Sequence, residues 1–369
     1  MIDDLLVEGK RQLDICNSCR YCEGYCAVFP SLERRIDLGK ADMVQLANLC
    51  HDCRECLYAC MYAPPHEFGV NPPQLFAMLR REHADELSRF STEIKRHERR
   101  PLLAGLYFVC VSLVLVLVLA GSTVGLSGLI ASHRLAASPY SVLSYPAILA
   151  IGMASLALGI VLLVIEGHRF WRASGERARP SFVEIGRAIR SAAVLTNLGG
   201  GGEGCAYPSE EGSSARRHAH IAVAWGFSLC LFATIAAAIL QDFLGDEPPY
   251  GWISVPVLLG LVGGAGLVVG SLALSFEKSR VDPAATDSGS VLREYGFLFA
   301  LFLLGLGGLV TLLTRTTPIY GIVLAMHLAT VFACFVLAPF TKFTHALYRL
   351  LALVRDEHER AQERVALGV

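Results

Sequence analysis

Charge is in short supply in this 369-residue sequence. Asp, Glu, Lys and Arg make up 18% of it, dense in the first hundred residues and missing from long stretches beyond, while 53% of positions are hydrophobic. That composition excludes an ordinary soluble domain. The signs nearly cancel, to a formal −1, and the basic residues gather beside apolar runs instead of forming one face, so no nucleic-acid role is assigned. The opening MIDDLLVEGKRQLD has no apolar run of signal-peptide length, so the head is expected to stay in the cytoplasm. No alternating apolar–polar pattern occurs in the head, which argues for helices there. Absent too are a Rossmann fingerprint and a paired acid and base that would indicate hydrolysis.

What the sequence does have is six apolar runs, near 102–128, 142–167, 220–242, 252–275, 294–314 and 319–341. Roughly 20 apolar residues cross about 30 Å of hydrocarbon as a helix. Buried helices of a soluble core are the alternative, and several of these runs exceed 20 residues without a charge. The expected fold is therefore all-α: a helical head over residues 1–100, then a six-helix transmembrane bundle over 101–369 with a long cytoplasmic loop at 171–217. Arg and Lys orient it. Sixteen lie in the second connection (Arg169, Arg172, Arg177, Arg179, Arg187, Arg190, Arg216, Arg217), the fourth (Lys278, Arg280, Arg293) and the tail from Lys342, against Arg134 and Arg315 on the other side. Both termini are thus expected in the cytoplasm, and KRHERRP at 95–101 agrees. Within the loop, GGGGEGC at 199–205 could cradle phosphate. No Lys-Ser/Thr follows it and no strand precedes it, so a flexible or docking loop is expected, with Cys205 a plain thiol.

Twelve cysteines would suggest disulfides in a secreted protein, but eight stand in two runs of spacing C-x2-C-x2-C-x3-C in a reducing compartment. CNSCRYCEGYCAVFP carries Cys16, Cys19, Cys22 and Cys26; CHDCRECLYACMYAP carries Cys50, Cys53, Cys56 and Cys60. Three thiolates at this spacing can wrap one iron–sulfur cube, and in two-cluster ferredoxins the fourth binds the other cube. Cluster one is then Cys16, Cys19, Cys22 and Cys60; cluster two is Cys50, Cys53, Cys56 and Cys26. Zinc is the alternative, but it more often uses two distant knuckles or adds histidines. Proline follows each fourth cysteine late, as Pro30 and Pro64. LERRIDLGKADMVQLANL, 32–49, has helical spacing, so the head reads as a helical ferredoxin-like module with two [4Fe-4S] clusters. His51 and His66 are expected to hydrogen-bond or lie at the surface, and APPHEFGVNPP, 63–73, to form an extended cover over a cluster.

Clusters move single electrons, so the spans are expected to hold the next carrier. An ionisable residue in a span is costly and is a functional candidate. His327 lies about two turns below the outer surface, and His345 follows 18 residues later. On one continuous helix that is five turns and about 27 Å, with both side chains on one face. His220 begins the third span at the depth of His345, with His218 one turn outward, and His168 ends the second span there. His345 and His220 are expected to grip a b-type haem. His327 has no evident partner; His133 is on its side of the membrane but outside the first span. A second haem, a quinone contact or simple packing all stay open for it.

The two cysteine runs, PPHEFGVN, GGEGC, RRHAHIAVAWGF and HLATVFACFVLAPFTKFTHALYR resemble the tricarballylate and citrate utilisation protein B family along nearly the whole chain. The resemblance implies a multi-pass protein of the bacterial inner membrane with two [4Fe-4S] clusters and haem. Such a protein reoxidises a cytoplasmic FAD-dependent dehydrogenase, which in that family turns tricarballylate into cis-aconitate, and passes the electrons to the quinone pool. It makes the eight cysteines cluster ligands and His220, His327 and His345 membrane-site candidates; His133 and His168 fall outside its motifs. An electron conduit is the leading expectation. A redox sensor is one alternative. A transporter with a metal-bearing head is another, kept open by GLVGGAGLVVG in the fourth span although broken helices with buried charge are mostly missing.

Overall fold

The computed structural model describes residues 2–87, 101–123, 125, 129, 138–175, 179–202 and 204–368. His133, Arg134, Arg177 and the basic run at 95–100 lie outside the described residues.

The head is built from α1 (Ile2–Cys19), α2 (Val28–Glu33), α3 (Lys40–Leu49), α4 (Glu55–Tyr58) and α5 (Pro72–Leu87), and its described residues contain no strand. Asp3 and Asp4 lie in the first turn of α1, where acidic groups suit the helix dipole. The Asn71 side chain accepts from the backbone N–H of Gln74, capping α5, whose first residues are prolines that need no donor there. Every residue of α3 from Met43 to Leu49 is buried, which makes it the central helix of the head. The segment expected as an extended cover, 63–73, is instead a series of turns running into α5.

Among the described residues, five helices are long and apolar enough to cross a membrane, which makes this a membrane protein. They are α7 (Tyr145–Ala173), α9 (Ala215–Leu244), α10 (Val255–Ser279), α11 (Val291–Thr314) and α12 (Tyr320–Leu337), the last prolonged by a 3-10 turn, Ala338–Phe340. At the first expected span lies α6 (Pro101–Thr123). The glycines of the fourth span do not break it: α10 is one continuous helix. They let it lie against α9, for a Cβ on Gly226 would stand 2.8 Å from the Leu267 nitrogen and one on Gly263 2.8 Å from the Cys230 nitrogen. Small residues at such crossings are how membrane helices gain contact.

Two expectations change here. The second connection is not a bare loop, since it carries an amphipathic helix, α8 (Phe182–Ala193), opened by a reciprocal Ser181–Glu184 capping box. It also holds a two-stranded ribbon pairing Cys205–Ala206 with Gly212–Ser213. Nor do His327 and His345 share a helix. Pro339 lacks an N–H and its ring crowds the preceding turn, Thr341 is extended (φ −110°, ψ −179°), and a separate helix, α13 (Thr344–Leu367), starts beyond. The five-turn spacing argument therefore fails.

Freed from the span, α13 packs into the head. Tyr348, Ala352, Leu353 and Val354 share one buried core with Leu13, Phe29, Leu46 and Phe76 of the head and with Phe170 at the end of α7. Phe170 and Tyr348 stack with centroids 4.8 Å apart. Arg34 pairs with the buried Asp356, and Arg35 donates two bonds, 2.8 and 2.9 Å, to Glu359. The fourth connection reaches the head too, through Arg81 to Asp287 at 2.6 Å and Asn71 to the Ala284 carbonyl at 3.0 Å.

Candidate redox site

Cys16 and Cys19 are three apart at the end of α1, on one face. Arg20 then takes a left-handed conformation (φ 57°) that turns the chain so that Cys22 comes back towards them. The second run does this twice, at Asp52 (φ 57°) and Arg54 (φ 67°), between Cys50 at the end of α3 and Cys56 in α4. Each such residue costs about 1–2 kcal/mol, a strain held where the thiols converge.

One cavity is lined by Cys16, Cys19, Cys22, Cys56 and Cys60, with Phe29 and Tyr62 among its walls. Burial pushes the Cys16 thiol up to about 12, helped by Cys60, Cys22 and Cys19, and pushes Cys22 up to about 12 in the same way beside Cys60 and Cys19. The others crowd one another. Burial raises Cys26 to about 12, with Cys50 its largest thiol influence, and holds Cys56 well up beside Cys53, Cys50 and Cys26. The eight thiols thus lie close together, with Cys22 of the first run also acting on Cys26 and on Cys56 of the second. Raised thiols stay protonated unless a cationic centre displaces the protons, which iron does. Among the described residues, no three His, Cys, Asp or Glu side chains converge closely enough to hold a single metal ion. Closely placed thiolates at this spacing are the donor chemistry of iron–sulfur centres.

The second run is shielded. Cys50 and Cys53 are buried, whereas Cys19 of the first is exposed. The glycine run docks on the head: the Gly201 N–H donates to the Tyr25 carbonyl at 3.1 Å, and the Asn197 side chain accepts from the Ala27 N–H at 3.3 Å. Gly201 has φ 72°, and a Cβ there would press on the Tyr25 ring at 3.1 Å, so glycine is required. Cys205 packs beside Cys53 with its thiol donating to the Leu198 carbonyl. His51 is buried and donates from Nδ1 to the Leu49 carbonyl at 2.7 Å; His66 accepts the Phe68 N–H at an exposed turn.

Directly behind the second run, the rings of His220 and His345 meet edge to face, with centroids 6.1 Å apart and planes at 60°. Two imidazoles on opposite faces of one metal, at about 2 Å per bond, place their ring centres about 6 Å apart. His345 Nδ1 donates to the Lys342 carbonyl, leaving Nε2 free, the usual posture of a histidine ligand. His220 Nδ1 is buried without a hydrogen-bond partner among the described residues. The 6.1 Å ring separation is the one two imidazoles take on a single metal centre. His168 is exposed and makes no ring contact with them among the described residues. His327 lies apart, its ring against Gly307 and Gly308 of α11 and its buried Nδ1 likewise without a partner.

The arginines that join these sets entered the sequence reading only as basic residues near the inner surface. Arg216 donates to the Asp52 carbonyl and stacks on Tyr207 at 4.1 Å; Arg349 donates to the Cys50 carbonyl at 3.1 Å. The signal was present, since each stands four residues from a histidine, Arg216 before His220 and Arg349 after His345. His83 was missed; it is buried in the head with its ring 6.0 Å from Phe170.

Residues 9–86 match the family described as citrate utilization protein B Fer4-like domain, and residues 96–366 match citrate utilization protein B. A protein of Escherichia coli described as citrate utilization protein B is 38% identical over 364 residues, covering 97% of this chain and 94% of that protein. No solved structure matches the chain.

Proposed function

The chain belongs to the citrate utilization protein B family, and from that premise we propose that it is a membrane electron conduit. It reoxidises a cytoplasmic FAD-dependent dehydrogenase of a tricarballylate or citrate-type acid and delivers the electrons to the quinone pool. The Fer4-like match supports an iron–sulfur head. Cys16, Cys19, Cys22 and Cys60 hold one [4Fe-4S] cluster and Cys50, Cys53, Cys56 and Cys26 the other. Six spans, α6 with the five apolar helices, cross the bacterial inner membrane with head and termini in the cytoplasm. His220 and His345 hold a b-type haem, which supplies a one-electron carrier at the cytoplasmic end of the bundle. His327 is the candidate for a quinone contact or a second haem.

The observation that carries this reading is a single joint: Arg349 donates to the Cys50 carbonyl while His345, one turn earlier on α13, meets His220. The second cysteine set and the histidine pair are thereby fixed to one another. A transporter loses its support because α10 runs unbroken. The test is the optical spectrum of the purified, reduced protein. Sharp haem bands that vanish on adding a quinone analogue are expected, and His345→Ala should remove a haem band. No haem bands beside intact cluster signals would make the protein a redox sensor instead, and an unchanged band in H345A would refute the pairing.

A further inference from the structure

Four cationic side chains surround the joint between the second cysteine run and the histidine pair, and three of them are satisfied. Lys342 pairs with Glu294. Arg216 has the carboxylate and carbonyl of Asp52 and the face of Tyr207. Arg80 donates to the carbonyls of Ala47 and Cys50, at 2.7 and 3.4 Å. Arg349 is the exception. Its Nη2 meets the Cys50 carbonyl, but its Nε is fully buried without a hydrogen-bond partner among the described residues. Burial and the nearby Arg80 hold its guanidinium down at about 10, against the raising influence of the Cys50 thiol and Asp52. A planar fork of donors with a buried N–H left over is the arrangement that takes a carboxylate. An unmet buried cationic donor costs more than a neutral one.

Resting on the haem reading above, we propose that Arg349 is the carboxylate anchor of the His220/His345 site, binding a haem propionate. One turn separates it from His345 along α13, on the side of the second cysteine run, so the anchored edge of the haem is turned towards that run. A residue four positions from a ligand on one helix face fixes the rotation of the ring plane, which two axial histidines alone leave free. Arg349 is thus a positioning residue, and its bond to the Cys50 carbonyl sets the spacing between the two redox groups.

The experiment uses the whole protein in membranes, with resonance Raman of the haem and potentiometric titration of haem and clusters, on wild type, R349Q and R349K. The propionate bending band should shift in both variants. The haem midpoint should move negative in R349Q, where a neighbouring positive charge is lost, and far less in R349K, which keeps the charge but not the fork. The second cluster, whose ligand Cys50 also receives the Arg349 bond, should shift less than the haem, and the first cluster should keep its wild-type potential. A negative shift confined to the second cluster, with haem and propionate band unchanged, would mean that Arg349 neutralises the cluster and would overturn the proposal. Should R349Q fail to accumulate, wild-type protein made without haem and loaded with haem or its dimethyl ester decides the matter. A charge-assisted bond predicts about tenfold or more weaker binding of the ester; equal binding overturns it. Absence of any haem band in wild type would instead count against the haem itself.

Discussion

Cys26 belongs by position to the first cysteine run, yet its largest thiol influence is Cys50 of the second, while Cys60 lines a cavity with Cys16, Cys19, Cys22 and Cys56. The crossed ligation proposed above makes a sharp prediction for electron paramagnetic resonance of the reduced protein. Cys26→Ser should erase the same cluster signal as Cys53→Ser, and Cys60→Ser the same signal as Cys16→Ser; the opposite grouping would mean that each run holds its own cube. His83 gives a second test at this scale. Burial holds it near 4, below its ordinary value of 6.5, so it stays neutral in the folded head while an unfolded chain would take up a proton below about 6.5. Stability is therefore full above that pH and falls as the pH drops towards 4, by about 3 kcal/mol from this group. Thermal unfolding in detergent should show His83→Phe losing less stability than wild type across that window. Identical pH slopes would remove His83 from the account.

Among the elements, α13 does what no span does, carrying a haem-ligand candidate at one end and closing the core of the head along its length. Its grip on the head is concentrated at Asp356, whose side chain is 2% exposed and which pairs with Arg34 and Arg360. Asp356→Ala removes the buried partner of Arg34, which keeps Glu359 and Glu363 at 3.7 and 3.9 Å, and of the partly exposed Arg360. It should destabilise the head by about 1–3 kcal/mol, read as a lower unfolding midpoint and faster proteolysis. Arg34→Met with Asp356→Leu should recover part of that, because an apolar pair of similar volume replaces the buried ion pair. A single variant as stable as wild type would show that the clamp carries nothing. The cysteine runs and the long apolar stretches were legible in the sequence because their signals are local: a fixed spacing, and a length matched to hydrocarbon. The depth shared by His220 and His345 was legible from the span boundaries. Docking of α13 was not, since it depends on Arg34 meeting Asp356 across 322 residues. The break that frees α13 was written at Pro339, but the apolar run continuing to Phe340 masked it. In the fourth span the glycines kept a transporter open, when close packing against α9 is what uses them.

For the molecule as a whole, the second and fourth connections and α13 all touch the head, while Arg315 stacks on Trp252 at 4.1 Å and donates to the Tyr250 carbonyl at 2.9 Å, tying two opposite connections together. With the head in the cytoplasm, a membrane-impermeant maleimide added to cells whose outer membrane is permeabilised should label Asp246→Cys and leave Pro283→Cys untouched; the reverse pattern would invert the proposed topology. The core that Tyr348, Ala352 and Leu353 complete carries one more implication. The ribosome makes the cysteine runs first and the residues that seal them last, after every apolar helix has emerged. Cofactor loading machinery must therefore either work on an open, unsealed domain or wait for translation to pass residue 354, and nascent chains stalled before that point should accumulate as iron-poor, protease-sensitive intermediates.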